Sequence, residues 1–178
     1  MFANPESNVR KFGLTPNMHI ADLGAGSGAY TIALAEILTN GKVYAVEVQK
    51  ELLSRIKNDA EKKHLTNIEV IWGDIERAGG TKLGNSSMDG VLFDPPYSVE
   101  QCLRRYTPKQ GGTAGRAEYW AKCKDEIKRI CKKDAKVISF CWDSTGIGKK
   151  RGFEIIEILL ICHGACHNDT IVTVERMY

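Results

Sequence analysis

A strand, a glycine-rich turn and a helix follow one another near the N-terminus, and that succession constrains the fold more than anything else in the chain. His19–Leu23 (HIADL) reads as a strand. Gly24-Ala25-Gly26-Ser27-Gly28 reads as a sharp turn whose glycines let the backbone pass close to a neighbour. Ala29–Leu38 (AYTIALAEIL) reads as a helix with an apolar face. The same alternation continues downstream. Val43–Val46 is a strand ending at Glu47, and apolar spacing at Leu52, Leu53, Ile56 and Ala60 predicts a helix over Gln49–His64. Ile68–Trp72 and Gly90–Phe93 are further strands, with a glycine-rich loop over Glu76–Ser87 between them.

In the C-terminal half, Val99–Tyr106 is a short helix and Ala117–Lys133 a longer one, with Trp120, Cys123, Ile127 and Ile130 on one side. Ala135–Trp142 is the fifth strand, and Phe153–His163 with Thr170–Arg176 form a closing antiparallel hairpin. Met1–Asn17 is an opening segment with a partial helix, turned by Thr15-Pro16-Asn17. Strands alternating with helices imply an α/β fold with a parallel sheet and right-handed crossovers. With 178 residues and no repeat or linker, the expectation is one domain with a real core and no separate target-recognition domain.

In such sheets ligands bind at the carboxyl ends of the strands. Asp22 precedes the glycines, where its charge would repel a pyrophosphate and suits a ligand with a cationic amino group. Glu47 lies about twenty residues beyond the turn, the place of a ribose-gripping carboxylate. Asp74, followed by Ile75, ends the third strand, placed to reach an adenine amino group. Three acids at successive strand ends around Gly24, Ala25, Gly26 and Gly28 describe a pocket for S-adenosylmethionine. A generic strand-end acid is the rival reading of Glu47.

The fourth strand runs into Asp94-Pro95-Pro96-Tyr97. Two prolines fix φ, remove two donors and hold the preceding carbonyls in a stiff extended frame. A carboxylate, a fixed carbonyl and an aromatic ring together can grip a planar group bearing an NH2. The plain alternative is that Asp-Pro-Pro stops a strand and Tyr97 packs.

Charge is uneven. Residues 1–96 hold 10 basic and 12 acidic residues, and residues 97–178 hold 15 basic and 10 acidic, which together give the net +3. The basic half also carries the expected acceptor side, which favours a polyanionic partner. Arg104, Arg105, Lys109 and Arg116 flank the glycine-rich Gly111–Gly115 and are the candidate nucleic-acid contacts; lysines over 122–136 also suit a solvated helix face. Six scattered cysteines read as reduced, with Cys141 in strand packing. Cys162-His163-Gly164-Ala165-Cys166-His167 holds four potential metal ligands, but without C-x-x-C spacing or a second cluster no metal is expected. No basic apolar leader opens the chain, and Ile158–Cys162 is too short to span a bilayer, so the expected location is cytoplasmic and away from membranes.

The chain resembles the class I S-adenosylmethionine-dependent methyltransferases over nearly its whole length. Asp22–Gly28 looks like the family's first motif, Glu47 its ribose-binding acid and Asp74 its adenine-contacting acid. Asp94-Pro95-Pro96-Tyr97 looks like the motif of amino-group methyltransferases. To about Asp89 the chain is similar to quinone-biosynthesis-type small-molecule methyltransferases. From Phe93 on, Lys149–Glu154 included, it is similar to small phage-type adenine-specific DNA methyltransferases. The resemblance implies strand order 3-2-1-4-5-7-6 with the seventh strand antiparallel, and methyl transfer to adenine N6 in DNA.

Under that implication Asp94 and the Pro95 carbonyl accept the two N–H bonds of the amine, and Tyr97 stacks on the base. RNA adenine or guanine, a small molecule, protein glutamine and a non-catalytic cofactor- or nucleic-acid-binding module are the alternatives. Selectivity would come from loops or from a specificity partner.

Overall fold

The computed structural model describes residues 4–98, 100–101, 117–163 and 168–178. Seven strands form one sheet in the order β3-β2-β1-β4-β5-β7-β6. They are β1 (His19–Leu23), β2 (Lys42–Glu47), β3 (Ile68–Trp72), β4 (Met88–Phe93), β5 (Cys131–Cys141), β6 (Phe153–Ile161) and β7 (Thr170–Met177). Strands β1 to β5 pair in parallel, and β7 runs antiparallel to both β5 and β6. The expected order and the reversed last strand are both observed.

The principal helices among the described residues are α1 (Pro5–Val9), α2 (Ala29–Ile37), α3 (Lys50–Lys62) and α4 (Ala117–Ile130). Successive strand residues point to opposite faces, so the sheet divides the core in two. Ile20, Leu92, Ile138 and Val174 face one side, with Ala33 and Leu34 of α2 and Val9 of α1. Ala21, Val91 and Val137 face the other, with Tyr119, Cys123, Ile127 and Ile130 of α4. In α3 only Ile56 and Ala60 of the expected apolar face are buried; Leu52 and Leu53 are half-covered.

The largest difference from the expected boundaries is at one junction. α4 stops at Ile130 and β5 starts at Cys131, rather than a helix to Lys133 and a strand from Ala135. The cause is a bulge: Met88 pairs with Cys131 but Gly90 pairs with Lys136, so β5 spends extra residues there, with Asp134 at φ 63°. The expected helix over Val99–Tyr106 lies almost wholly outside the described residues; Glu100 and Gln101 are helical.

α4 is fastened to the loop after β3 by the buried carboxylate of Glu126. Glu126 accepts from the Gly79 and Thr81 amides, the Thr81 hydroxyl at 2.6 Å and the Arg129 guanidinium at 2.7 Å. Burial alone would raise the Glu126 carboxyl, but Arg129 and the Thr81 and Gly79 donors overcome it and hold it at about 2. No helix among the described residues is long and apolar enough to cross a membrane.

Candidate active site

The strand ends that the sequence singled out meet on one rim. Val46 pairs with Leu23, Leu23 with Phe93, and Phe93 with Ser139. The residues that follow, Glu47 at the end of β2 and Gly24 and Asp94 just beyond β1 and β4, therefore sit at adjacent positions on neighbouring strands, about 4.8 Å apart.

The glycine turn is held from beneath. Gly24 and Ala25 donate to the Val46 carbonyl at 2.9 and 3.1 Å. Gly24, Gly26 and Gly28 all have positive φ, which accounts for glycine at each. A side chain at Gly24 would meet nothing within 4 Å, and one at Gly26 only the Gly24 carbonyl at 3.8 Å. The turn thus faces open space that a ligand can approach. Gly28 instead abuts Ile56 of α3, whose Cγ1 would lie 2.7 Å from an added methyl.

Glu47, buried, accepts from the Gly26 amide at 2.9 Å and from the Val48 and Gln49 amides at 2.8 and 2.9 Å. It shapes the turn it was expected to serve. Asp22 is 2% exposed and accepts from the Thr31 hydroxyl of α2 at 2.5 Å. Burial, aided by the nearby Asp94 and Glu47 carboxylates and opposed by Thr31, pushes its carboxyl up to about 7. Three carboxylates sharing one rim favour a cationic ligand among them. Asp74 lies at the same edge of the sheet, its carboxylate accepting from the Glu76 amide at 3.0 Å and pairing with Arg77 at 3.1 Å. Ile75 packs against the α4-side core.

On the other side of the rim, the Tyr97 hydroxyl donates to Asp94 Oδ1 at 2.7 Å, and the Tyr97 amide donates to the Gln101 side chain at 2.7 Å. Burial and the Asp94 charge raise the Tyr97 phenol well above its ordinary range. Its ring meets Trp142 edge-on, with centroids 5.7 Å apart.

Pro95 and Tyr97 form one wall of a cleft of about 260 Å³. Trp120 and Lys124 of α4 also line it, as do Ser139, Phe140 and Cys141 of β5, with Asp143, Thr145 and Gly146 at the loop that follows. The Asp143 carboxylate is bound into that loop by the Thr145 amide and hydroxyl, which lower it below the usual range. Glu175, wholly buried, accepts from the Ile147 and Gly148 amides and fixes the same loop.

Sequence reasoning placed Trp120 on a helix face and Lys124 among solvated lysines, gave Ser139 no role and assigned Cys141 to strand packing, although all four line the cleft; Trp142, whose ring meets Tyr97, was also missed. The signal was available for Trp142: it follows the fifth strand, where the strand-end argument applied to Glu47 and Asp74 applies equally. Arg104, Arg105, Lys109 and Arg116 lie outside the described residues. So does most of the Cys162–His167 cluster; within the described part, His163 bonds to Asp169 and Thr170. Among the described residues no group of three or more His, Cys, Asp or Glu is placed to hold a metal ion.

An open glycine turn beside three carboxylates on a seven-stranded sheet of this order defines a class I S-adenosylmethionine-dependent methyltransferase. A family profile described as a methyltransferase domain matches residues 14–145, and the chain belongs to that family. S-adenosylmethionine is its cofactor, and the open face of Gly24 and Gly26 fits such a ligand.

Relatives by sequence include a release factor glutamine methyltransferase of Bacillus cereus, 29% identical over 150 residues, covering 79% of this chain and 50% of the relative. A ribosomal RNA small subunit methyltransferase B of an Enterobacter species is 27% identical over 124 residues, covering 70% of this chain and 26% of the relative. The chain thus spans half or less of the length of these curated relatives. Among solved structures, TrmN from Thermus thermophilus superposes with a TM-score of 0.75 at 16% identity, covering 98% of this chain and 48% of that one. A SAM-dependent methyltransferase from Aquifex aeolicus superposes with a TM-score of 0.72 at 19% identity, covering 98% and 90%. These likenesses support the fold.

Proposed function

We propose that this chain methylates an exocyclic amino nitrogen of a nucleic-acid base, adenine N6 in DNA first of all. The observation that carries this reading is the Leu23–Phe93 pairing, which sets the glycine turn and Asp94-Pro95-Pro96-Tyr97 side by side above adjacent strands. When bound, S-adenosylmethionine supplies a methyl group already activated on a sulfonium, so the protein chiefly positions and polarises.

In this reading the backbone of Gly24, Ala25, Gly26 and Gly28 lines the cofactor, and Asp22 offsets its cationic amino group. Glu47 accepts a ribose hydroxyl at Oε2, where its three amide bonds leave about one lone pair over. Asp74 and Ile75 close the adenine end.

Asp94 and the Pro95 carbonyl accept the two N–H bonds of the incoming amine. This draws the nitrogen lone pair out of conjugation and stabilises the positive charge that develops. Tyr97 holds Asp94 in place, and the aromatic walls Tyr97 and Trp120 receive a base taken out of its stack, with Trp142 packed edge-on against Tyr97. Arg104, Arg105, Lys109 and Arg116 hold backbone phosphates, with Lys124 at the cleft.

RNA is the second reading, favoured by the ribosomal RNA methyltransferase relative. The test is to incubate the chain with methyl-labelled cofactor and, separately, DNA, RNA or protein extract, then digest and identify the modified unit. Methyl-labelled adenine from DNA is the expected product. Asp94→Ala should retain cofactor affinity and lose transfer; label confined to protein glutamine would overturn the nucleic-acid reading.

A further inference from the structure

We propose that Ser139 binds the acceptor, its hydroxyl hydrogen-bonding the ring of the base whose amino group lies against Asp94. The inference rests on the acceptor reading above and adds a residue to it.

Ser139 is 6% exposed, and among the described residues its Oγ is a buried side-chain atom with no hydrogen-bond partner. Buried hydroxyls are nearly always bonded, because desolvation without a partner is unfavourable. Ser139 also lines the cleft, so rotation about its χ1 toward the cleft would give the hydroxyl a partner there. Its location is specific. Ser139 pairs with Phe93, the residue immediately before Asp94. Adjacent strands lie about 4.8 Å apart, so one planar heterocycle can reach both the hydroxyl and the Asp94–Pro95 rim.

Two of the neighbouring polar groups are already committed. Asp143 is bonded to Thr145, and Cys141 Sγ donates to Asp143. Because a hydroxyl both donates and accepts, Ser139 can meet either a ring nitrogen or a ring N–H.

A control stands beside it. Thr173 is the cross-strand partner of Ser139, and its Oγ1 is also buried without a partner among the described residues, yet Thr173 is not among the cleft-lining residues. Ser139→Ala and Thr173→Val each delete one such hydroxyl, and both should melt at or above the parental temperature. If the inference holds, Ser139→Ala raises the acceptor KM about tenfold, the loss of one hydrogen bond, at near-parental kcat and cofactor affinity. Thr173→Val keeps the parental KM.

Deaza analogues of the accepted base supply a readout that a structural role does not move. The parent should lose affinity for the analogue lacking the ring nitrogen that Ser139 meets, and Ser139→Ala should not distinguish that analogue from the natural base. An active parent whose Ser139→Ala variant keeps its KM overturns the assignment alone, as does an equal shift in both variants. A parent that methylates no base overturns the acceptor reading and this assignment with it.

Discussion

The Tyr97 hydroxyl lies 2.7 Å from Asp94 Oδ1, so the last residue of the Asp-Pro-Pro-Tyr motif donates to the first. With the two prolines fixing the backbone between them, the carboxylate is held from both ends. Tyr97 was expected to stack on a base. Its ring does border the cleft, but its hydroxyl serves the acid. Tyr97→Phe keeps the ring and deletes the bond. A hydrogen bond to a charged group contributes about 1.5–3 kcal/mol, so kcat should fall about 10- to 100-fold with cofactor affinity unchanged. Single-turnover kinetics and cofactor titration check this; a parental kcat would confine Tyr97 to packing.

Asp22 gives the site a pH signature. Its carboxyl is pushed up to about 7 by burial first and by Asp94 and Glu47 second. A cation bound nearby favours the ionised form, so cofactor binding should release a proton and tighten as pH rises through 7. For folding the sign is opposite. A raised acid favours the folded state fully below its unfolded value near 3.8, and that contribution is lost as pH rises toward 7. Asp22→Asn should therefore melt higher than the parent at pH 8 while binding cofactor more weakly. Calorimetric titration in two buffers of different ionisation enthalpy measures the released proton; none released would separate Asp22 from the bound cation.

Much of this was legible from residue order alone. β1 and β3 fall where their apolar runs begin and end, because glycine or a turn bounds each one. The α4–β5 junction was not legible. Lys132, Lys133 and Asp134 continue a polar helical pattern, and only pairing with β4 reveals the bulge that makes them strand. The glycine turn and its acids are local in sequence and could be read as such. The cleft is not local: Ser139, Trp120 and Tyr97 become neighbours through strand register and helix packing, and a serine in an apolar strand carries no signal until its missing partner is seen.

The buried Glu126 carboxylate behind the site predicts acid sensitivity. Glu126 is held down at about 2 despite its burial, through Arg129, Thr81 and two backbone amides. Its contribution is present above the unfolded value near 4.5 and is lost as pH falls from there toward 2. Removing one partner of a buried pair costs about 3–5 kcal/mol. Glu126→Gln should lower the urea midpoint accordingly at pH 7, and the gap from the parent should close as pH drops below 4.5. A constant gap across that window would assign the loss to packing instead of charge.

Two glycines of one turn separate binding from folding. Gly24 and Gly28 both have positive φ, so alanine is strained at either. Their surroundings differ. Alanine at Gly24 projects into open space on the ligand side, whereas alanine at Gly28 drives its methyl to 2.7 Å from Ile56 Cγ1. Gly24→Ala should cost about 1 kcal/mol of stability, the backbone strain alone, and weaken cofactor binding by an order of magnitude or more through a methyl placed where the ligand approaches. Gly28→Ala adds overpacking of about 1–3 kcal/mol and should be relieved in part by Ile56→Ala, since the obstructing atoms belong to that side chain. Denaturant midpoints and cofactor titrations on the two variants and the Gly28–Ile56 double variant check the division. Gly24→Ala with parental cofactor affinity would place the ligand elsewhere on the rim.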